Sequence, residues 1–447
     1  MMEVFKRVLR VAALLALGNS LILFGRVRPL PFPWGLLCIA GLLVFFICFN
    51  IRPRKGDPSL SLRLRSMLGG YELLLCAVWV LFLETAGLIW AGLTGRMDFP
   101  NIAVCLLLFL PMAAILLLNG FFRVLVTCGR LRLVWRLALL FLWWVPLVNL
   151  IVLGKALSLA RAEYRFALAR QHLETLHAEN QDCATRYPLV LVHGIFFRDW
   201  QYINYWGRIP QALQKCGATV YYGSQQSSAP VARSAQELKE RVEAVLAETG
   251  AEKVNLIAHS KGGLDSRYAI SRLGLGPRVA SLTTINTPHR GCIFAQHLLE
   301  TLPRWLIGWM EKRYNGLFHA LGDAQPDFLG GVNDLTHDAC LGFNESVPDV
   351  EGVFYQSVTS TMKSPRSAAF PLDFTWRLVN KYDKEANDGL VAESSARWGN
   401  YLRTLTVPGR RGISHGDVID LMREDIEGFD VREFYTELVK DLKEKGL

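Results

Sequence analysis

The sequence predicts two fold classes in one chain. An N-terminal all-α transmembrane bundle (residues 1–155) precedes a C-terminal α/β domain (184–447) with a mostly parallel sheet, helices on both faces and a helical insertion. Three observations predict this. Five apolar stretches crowd the first third of the chain, and short apolar strands alternate with an amphipathic helix from Tyr187 onward. One of those strands then runs into a helix through a turn of small residues around Ser260. A length of 447 residues accommodates two or three domains.

The composition divides in the same place. The chain is 51% hydrophobic with a mean hydropathy of +0.22. Residues 1–160 hold 16 Lys/Arg against five acidic residues (Glu3, Asp57, Glu72, Glu84 and Asp98), a net of +11, while the whole chain carries +9 and the remainder therefore −2. The basic charge thus punctuates apolar runs, as in the loops of a membrane protein. Nucleic-acid binding loses its support as a reading of that charge.

The apolar stretches cover 10–25, 34–51, 71–93, 101–121 and 133–153. A helix crosses the hydrocarbon core with about 20 apolar residues. The second to fifth stretches meet this, and the first is interrupted by Gly18, Asn19 and Ser20. Lys6, Arg7 and Arg10 ahead of an apolar run look like the start of a signal peptide, but no small-residue cleavage site follows and more spans come directly after. Lys and Arg concentrate at the N-terminus, in 52–65 (Arg52, Arg54, Lys55, Arg63, Arg65) and in 122–136 (Arg123, Arg130, Arg132, Arg136); the alternate connections hold Arg26 and Arg28, and Arg96. The positive-inside rule then predicts a multi-pass protein of the cell membrane with an extracytoplasmic C-terminal domain, whether or not the first stretch crosses. Glu84 lies mid-span, where a carboxyl suggests function by default; with no second intramembrane charge as partner, the favoured reading is a protonated carboxyl packed between helices. Residues 156–183, rich in Ala, Leu, Arg and Glu and free of Gly and Pro, continue the fifth helix as a stalk.

Of the nine cysteines, Cys38, Cys48, Cys76, Cys105 and Cys128 lie in or beside apolar runs, and Cys183, Cys216, Cys292 and Cys340 are isolated. None forms a CxxC or metal-ligand spacing, so neither a zinc site nor a disulfide framework is predicted.

In the second domain, Tyr187–Val192 reads as a buried strand ending at His193-Gly194, and Ala218–Tyr222 as another. Residues 233–249 show helical periodicity closed by Gly250. Lys253–Ala258 is a third strand, and it enters Ala258-His259-Ser260-Lys261-Gly262-Gly263 with a helical pattern from Leu264. Strands alternating with helices indicate a parallel sheet. The Ser turn matches the nucleophile elbow of the α/β-hydrolase fold with Ala in place of the first Gly. Its turn is tight enough that more than a methyl at 258, or any side chain at 262, would meet neighbouring backbone. The following helix points its N-terminus at the site and favours developing negative charge.

A serine nucleophile needs a base, and the base an orienting carboxylate. In α/β-hydrolases they follow in the order Ser, Asp/Glu, His. Of nine histidines, His172 and His177 lie on the stalk, His193 and His259 flank the turns, and His297, His319 and His337 fall in the insertion. His415, in Gly-Ile-Ser-His-Gly, is the late one. Asp388, in Asn-Asp-Gly ahead of a strand-like Leu390-Val391, is the carboxylate candidate; Asp383 and Glu385 compete.

Val254–Tyr268, Ser281–Gly291, Tyr187–Gly194 and Asn387–Gly399 together resemble, in order, the core blocks of the secreted bacterial triacylglycerol lipases (family I). The resemblance covers about 187–300 and 385–425 and none of the first 186 residues. It implies a serine carboxylic-ester hydrolase with Ser260, Asp388 and His415 as catalytic residues, the backbone N–H groups of Ile195 and Lys261 as oxyanion hole, and His289 as a structural position. Substitution of the Ile195 and Lys261 side chains is then expected to be mild. No cofactor is needed for this chemistry. The family also carries a structural calcium near the base. Asp417 matches one ligand, the Gln expected six residues after the histidine is Leu421, and the upstream acidic ligand is Asp373 or Asp383. The family's disulfide has no evident counterpart.

Residues 292–345 form the insertion, where Leu298, Leu299, Leu302, Trp305, Leu306, Ile307, Trp309 and Met310 make an apolar helical run. Core packing is one reading; a lid that opens on a lipid surface is the other. The expected partners are an ester or lipid substrate and the bilayer. Hydrolysis of lipid or acylglycerol esters is the leading function. Acyl transfer by the same residues and a non-catalytic membrane scaffold are the alternatives.

Overall fold

The computed structural model describes residues 2–26, 31–131, 133–142, 145, 147–195, 205–226, 228–320, 323, 325–368 and 370–447. The chain divides into two compact units, Met1–Leu173 and Glu174–Leu447.

The first unit is helical: α1 (Met2–Gly18), a π-helical turn (Leu21–Arg26), α2 (Phe32–Ile51), α3 (Leu62–Leu93), α4 (Phe99–Thr127), α5 (Leu133–Phe141) and most of α6 (Val148–Glu179). Among the described residues, α2, α3 and α4 are long and apolar enough to cross a membrane. Their outward faces are apolar, with Trp34, Leu37, Phe82, Ile89, Leu107 and Leu118 exposed, while Leu14, Leu73, Ala77, Phe109 and Leu116 form the seam between helices.

Two apolar stretches depart from the prediction. The first ends as α-helix at Gly18, and its polar interruption turns inward. Asn19 donates through Nδ2 to Glu84 Oε2 at 2.8 Å, and Cys105 Sγ donates to Asn19 Oδ1 at 3.1 Å. Glu84 therefore has a polar partner, the very residue that breaks the apolar pattern. The fifth stretch is not one helix: α5 stops at Phe141 and α6 starts at Val148. Pro146 of the sequence lacks the N–H an unbroken helix needs. The last part of that stretch is instead continuous with the stalk in α6, whose buried Val152, Ala156, Ala160 and Ala167 share one helical face. Arg28 and Arg132, used in the orientation argument, lie outside the described residues.

The second unit contains β1 (Leu189–Val192), α7 (Ile209–Lys215), β2 (Val220–Tyr222), α8 (Val231–Thr249), β3 (Val254–His259), α9 (Lys261–Arg272) and β4 (Val279–Ile285). Four insertion helices follow, α10 (Ile293–Thr301), α11 (Arg304–Ala320), α12 (Phe328–Asn333) and α13 (His337–Ser346). Then come β5 (Phe354–Ser360), α14 (Leu372–Tyr382), α15 (Glu393–Ala396), β6 (Asn400–Leu405) and α16 (Val431–Glu444). The six strands form one sheet, β2-β1-β3-β4-β5-β6, parallel throughout. β1, β3 and β4 are buried along their whole length, as central strands covered by helices on both faces must be. On one face Leu191 and Ile257 pack with Trp206, Leu213, Tyr435 and Val439. On the other, Val190 and Leu256 pack with Leu238 and Val242 of α8 and Ile270 of α9. The predicted helix 233–249 begins two residues earlier, at Val231, and ends as expected: Gly250 adopts φ 69° and donates its N–H to Leu246 O.

Two local readings need correction or sharpening. Leu390-Val391 is not a strand. Both amides donate to Asp388 Oδ1, at 2.9 and 2.8 Å, so their apolar character serves a tight loop. In the insertion, α11 leaves Trp305 (74%), Trp309 (54%) and Leu317 (51%) exposed and buries Phe318. Of the insertion's apolar run, Trp305 and Trp309 face outward while Leu298, Leu299, Leu302, Leu306, Ile307 and Met310 are half-buried.

Candidate active site

β3 delivers Ser260 to the edge of the sheet in an unusual conformation, φ 55° and ψ −131°. A residue with a β-carbon holds such a conformation at a cost of about 1–3 kcal/mol, and only where its surroundings enforce it. Here Ser260 N–H donates to Ile285 O at 3.0 Å, and Ser260 O accepts from Gly263 N–H at 3.1 Å. The turn is also crowded from the side. A β-carbon at Gly262 would lie 2.4 Å from His193 O, and one at Gly194 would lie 2.7 Å from Ser260 Cβ. Glycine is required at both positions by close approach, and the His193-Gly194-Ile195 turn after β1 lies directly on the elbow. The N–H of Lys261 is the first of α9, among the amides a helix leaves without an internal partner.

Asp388 and His415 meet across the loops that follow α14 and β6. His415 Nδ1 lies 2.6 Å from Asp388 Oδ2, and His415 N–H donates to Asp388 O at 2.8 Å. The two loop amides on Oδ1 fix the carboxylate so that Oδ2 faces the imidazole. Asp388 is 1% exposed. The His415 ring lies 4.4 Å, centroid to centroid, from that of His259, the residue before Ser260. Sequence positions 260, 388 and 415 are thus brought to one place. Of the two competitors, Asp383 is pushed up to about 6 by burial, and Glu385 accepts from Ser394 N–H.

His259, His289 and His193, the histidines nearest the elbow and turns, are held by burial and hydrogen bonds. His259 is buried beside His415, and burial first, then that neighbour, hold its pKa well below the ordinary range. His289 is likewise kept neutral by burial and by Arg267, is hydrogen bonded to Thr284 Oγ1 at 2.9 Å, and stacks on Trp398. His193 Nε2 is hydrogen bonded to Gln225 O at 2.9 Å.

Sequence reasoning missed three groups. Tyr205 Oη accepts from Gly194 N–H at 3.1 Å and is hydrogen bonded to His259 Nδ1 at 2.6 Å, tying the β1 turn to the elbow. The Lys261 side chain is buried, with Nζ 2.7 Å from Asp265 Oδ1 and 3.0 Å from Ser234 Oγ. The expectation that substitution at 261 is mild is therefore corrected, because loss of the ammonium would leave a buried carboxylate unpaired. Ile195 is no freer, since it packs with Val231, Leu264 and Leu335. Third, Arg208 grips the segment after His415: it donates to Asp420 from Nε at 2.7 Å and from Nη2 at 2.8 Å. The i,i+4 spacing of Lys261 and Asp265 was a readable signal; the others lie too far apart in the chain to read.

The implied calcium does not fit the residues present. Asp417 Oδ2 accepts from Ser414 N–H at 2.9 Å, and its Oδ1 accepts from Arg411 Nη2 at 3.2 Å, so a guanidinium already sits where a cation would be needed. Leu421 offers no side-chain oxygen. Asp373 Oδ1 accepts from Phe374 N–H, and Asp383, whose Oδ2 is buried without a hydrogen-bond partner among the described residues, stands alone of these candidates as the one oxygen donor still open. Among the described residues no group of three His, Cys, Asp or Glu is arranged to hold a metal.

A family model described as the alpha/beta hydrolase fold matches residues 187–386. The chain is 35% identical over 244 residues to a triacylglycerol lipase of Vibrio cholerae serotype O1, covering 49% of this chain and 76% of that protein. It is 29% identical over 295 residues to a triacylglycerol lipase of Pseudomonas fragi, covering 59% and 98%. A solved structure of a mature Bacillus licheniformis lipase aligns over 57% of this chain and 92% of that one, at 20% identity and a TM-score of 0.43.

Proposed function

Because the chain belongs to the triacylglycerol-lipase group of α/β-hydrolases and is a carboxylic ester hydrolase, we propose that it hydrolyses lipid or acylglycerol esters through an acyl-enzyme on Ser260. One observation carries the assignment: the buried Asp388 Oδ2 lies 2.6 Å from His415 Nδ1, with the His415 ring against the residue preceding Ser260. Ser260 Oγ attacks the ester carbonyl while His415 takes its proton, and Asp388 holds the imidazole in the tautomer that can accept it. The Lys261 and Ile195 N–H groups receive the developing oxyanion, a contribution of about 3–4 kcal/mol to the barrier. His415 then protonates the leaving alcohol; water next attacks the acyl-enzyme as His415 takes its proton, the bond to Ser260 Oγ breaks, and His415 returns the proton to Oγ as the free acid leaves. The donors are backbone groups, so nothing in the step calls for a metal or an organic cofactor.

The lipid substrate is supported by the names of the relatives and by the apolar surface of α11, which with the other insertion helices forms the candidate lid over 292–345. A chain-length series of esters tests it. Faster turnover of acyl chains of eight or more carbons supports the lipid reading; a preference for about four carbons or fewer leaves a plain esterase.

The same proposal anchors the chain in the cell membrane through its N-terminal helices, with the catalytic unit on the outer side. The loops at 52–65 and 122–136 supply the inward positive charge. The outward placement requires residues 133–153 to cross despite the break between α5 and α6. Protease added to intact spheroplasts tests this. Cleavage of the catalytic unit supports outward placement, and full protection contradicts it.

A further inference from the structure

The segment that carries His415 is built like a cation-binding loop, and the cations that fill it are two guanidinium groups, Arg411 of the segment itself and Arg208 from ahead of α7. Between Arg411 and Asp425 the chain places Asp417, Asp420, Glu424 and Asp425, four carboxylates in nine residues. Arg411 Nη2 bridges Asp417 Oδ1 at 3.2 Å and Glu424 Oε2 at 2.8 Å. Asp417 in turn closes the turn around the histidine: its Oδ2 accepts from Ser414 N–H at 2.9 Å, and its own N–H donates to Ser414 Oγ at 3.2 Å. Three residues on, Asp420 is 3% exposed and adopts φ 57°. Its carboxylate accepts from Arg208 three times, from N–H at 2.8 Å, Nε at 2.7 Å and Nη2 at 2.8 Å. Arg208 Nη1 also reaches Asp425 Oδ1 at 2.9 Å. A guanidinium suits this work because its donors form a planar fork that can engage several carboxylate oxygens at once.

We infer that Arg411 and Arg208 together hold the His415 loop in register with Asp388, so that ester hydrolysis proceeds without a divalent cation and depends on these two guanidinium groups instead. Both are positioning residues that act through the loop, and neither faces the substrate. The inference rests on His415 being the catalytic base.

The full-length protein in detergent micelles, with p-nitrophenyl butyrate as substrate, tests this. Exhaustive EDTA treatment leaves kcat of the wild type unchanged, and added calcium does not raise it. Arg411→Gln lowers kcat about tenfold or more with KM nearly constant, and Arg411→Lys recovers part of the loss. Arg208→Gln does the same; Asp417→Asn serves as the milder variant should either fail to fold. The rate of fluorophosphonate labelling of Ser260 falls in step with kcat, whereas a remote loss of stability would move the melting temperature and leave that rate unaltered. A wild type silenced by EDTA and restored by calcium overturns the inference, and so do folded arginine variants with wild-type kcat. A wild type with no esterase activity in any condition would instead count against the proposed function itself.

Discussion

Asp388 Oδ2 sits 2.6 Å from His415 Nδ1, in a carboxylate whose other oxygen is already held by two backbone amides. The pair therefore has one geometry open to it, with the imidazole Nδ1–H donated to the carboxylate and Nε2 left to accept a proton. Asp388→Asn keeps the shape and reverses the demand, because an amide can donate where the carboxylate only accepted. We expect kcat to fall about 10⁴-fold with little change in KM, measured on a soluble ester, and the melting temperature to stay within a few degrees. A drop below tenfold would show that Asp388 does not orient the base.

The turn after β1 should be equally sensitive. A β-carbon at residue 194 would lie 2.7 Å from Ser260 Cβ and 3.0 Å from Tyr205 Oη. Gly194→Ala must therefore shift the backbone of the turn that leads into Ile195. With the Ile195 N–H as the proposed oxyanion donor, its displacement predicts a fall in kcat of about 10²–10³-fold. Tyr205→Phe, which removes the tie to Gly194 and His259, should give a smaller loss in the same direction.

Lys261 is expected to matter for stability more than for rate. Breaking a buried ion pair by removing one partner costs about 3–5 kcal/mol, so Lys261→Met should unfold at clearly lower denaturant concentration. The cost depends on pH. Burial pushes Asp265 up to about 7 even with Lys261 beside it, so the folded state holds its proton more tightly than the unfolded chain. Stability is then lost as pH rises from about 4 through 7. Without Lys261 that loss continues to higher pH, and the variant should be far weaker at pH 8.5 than at pH 6. Lys261→Met combined with Asp265→Asn should remove the extra dependence. Equal stability of Lys261→Met at the two pH values would contradict this.

His177, near the end of α6, carries a dependence of the same sign at higher pH. Burial disfavours its charged form, but Nδ1 lies 2.6 Å from Asp182 Oδ2 and Nε2 lies 2.9 Å from Glu433 Oε1, and these bonds raise its pKa overall. A raised histidine contributes fully below its unfolded pKa of about 6.5 and loses the contribution as pH climbs through the folded value. His177→Asn should cost about 1.5–3 kcal/mol at pH 6 and much less at pH 9, read by chemical denaturation of wild type and variant in parallel. A difference that grows with pH would refute the charged-histidine reading.

These residues also show how far the sequence could be read. The tight strand-to-helix turn at Ser260 was legible because it is a steric problem with few solutions: glycine at 262 is dictated by the 2.4 Å approach of His193 O. That Asp388 and His415 would be paired, as they are at 2.6 Å, was anticipated from the order Ser, Asp/Glu, His; their catalytic roles belong to the proposal. The helix at 231–249 was legible from its period and its closing glycine. Contacts that join distant positions were not. Arg208 and Asp420 are 212 residues apart, and Tyr205 and His259 are 54 apart; no local pattern marks either pair. Leu390-Val391 misled because an apolar dipeptide can serve a strand or a carboxylate-capping loop equally well. Asn19 misled because a polar residue in an apolar run reads as an interruption until Glu84 is found opposite it.

Labelling with a fluorophosphonate probe is the most direct measurement of the central claim. The wild-type protein should be modified at one residue, Ser260, with parallel loss of esterase activity, and Ser260→Ala should show neither labelling nor hydrolysis while expressing and melting as the wild type does. Labelling retained in Ser260→Ala, or hydrolysis that survives it, would place the nucleophile elsewhere.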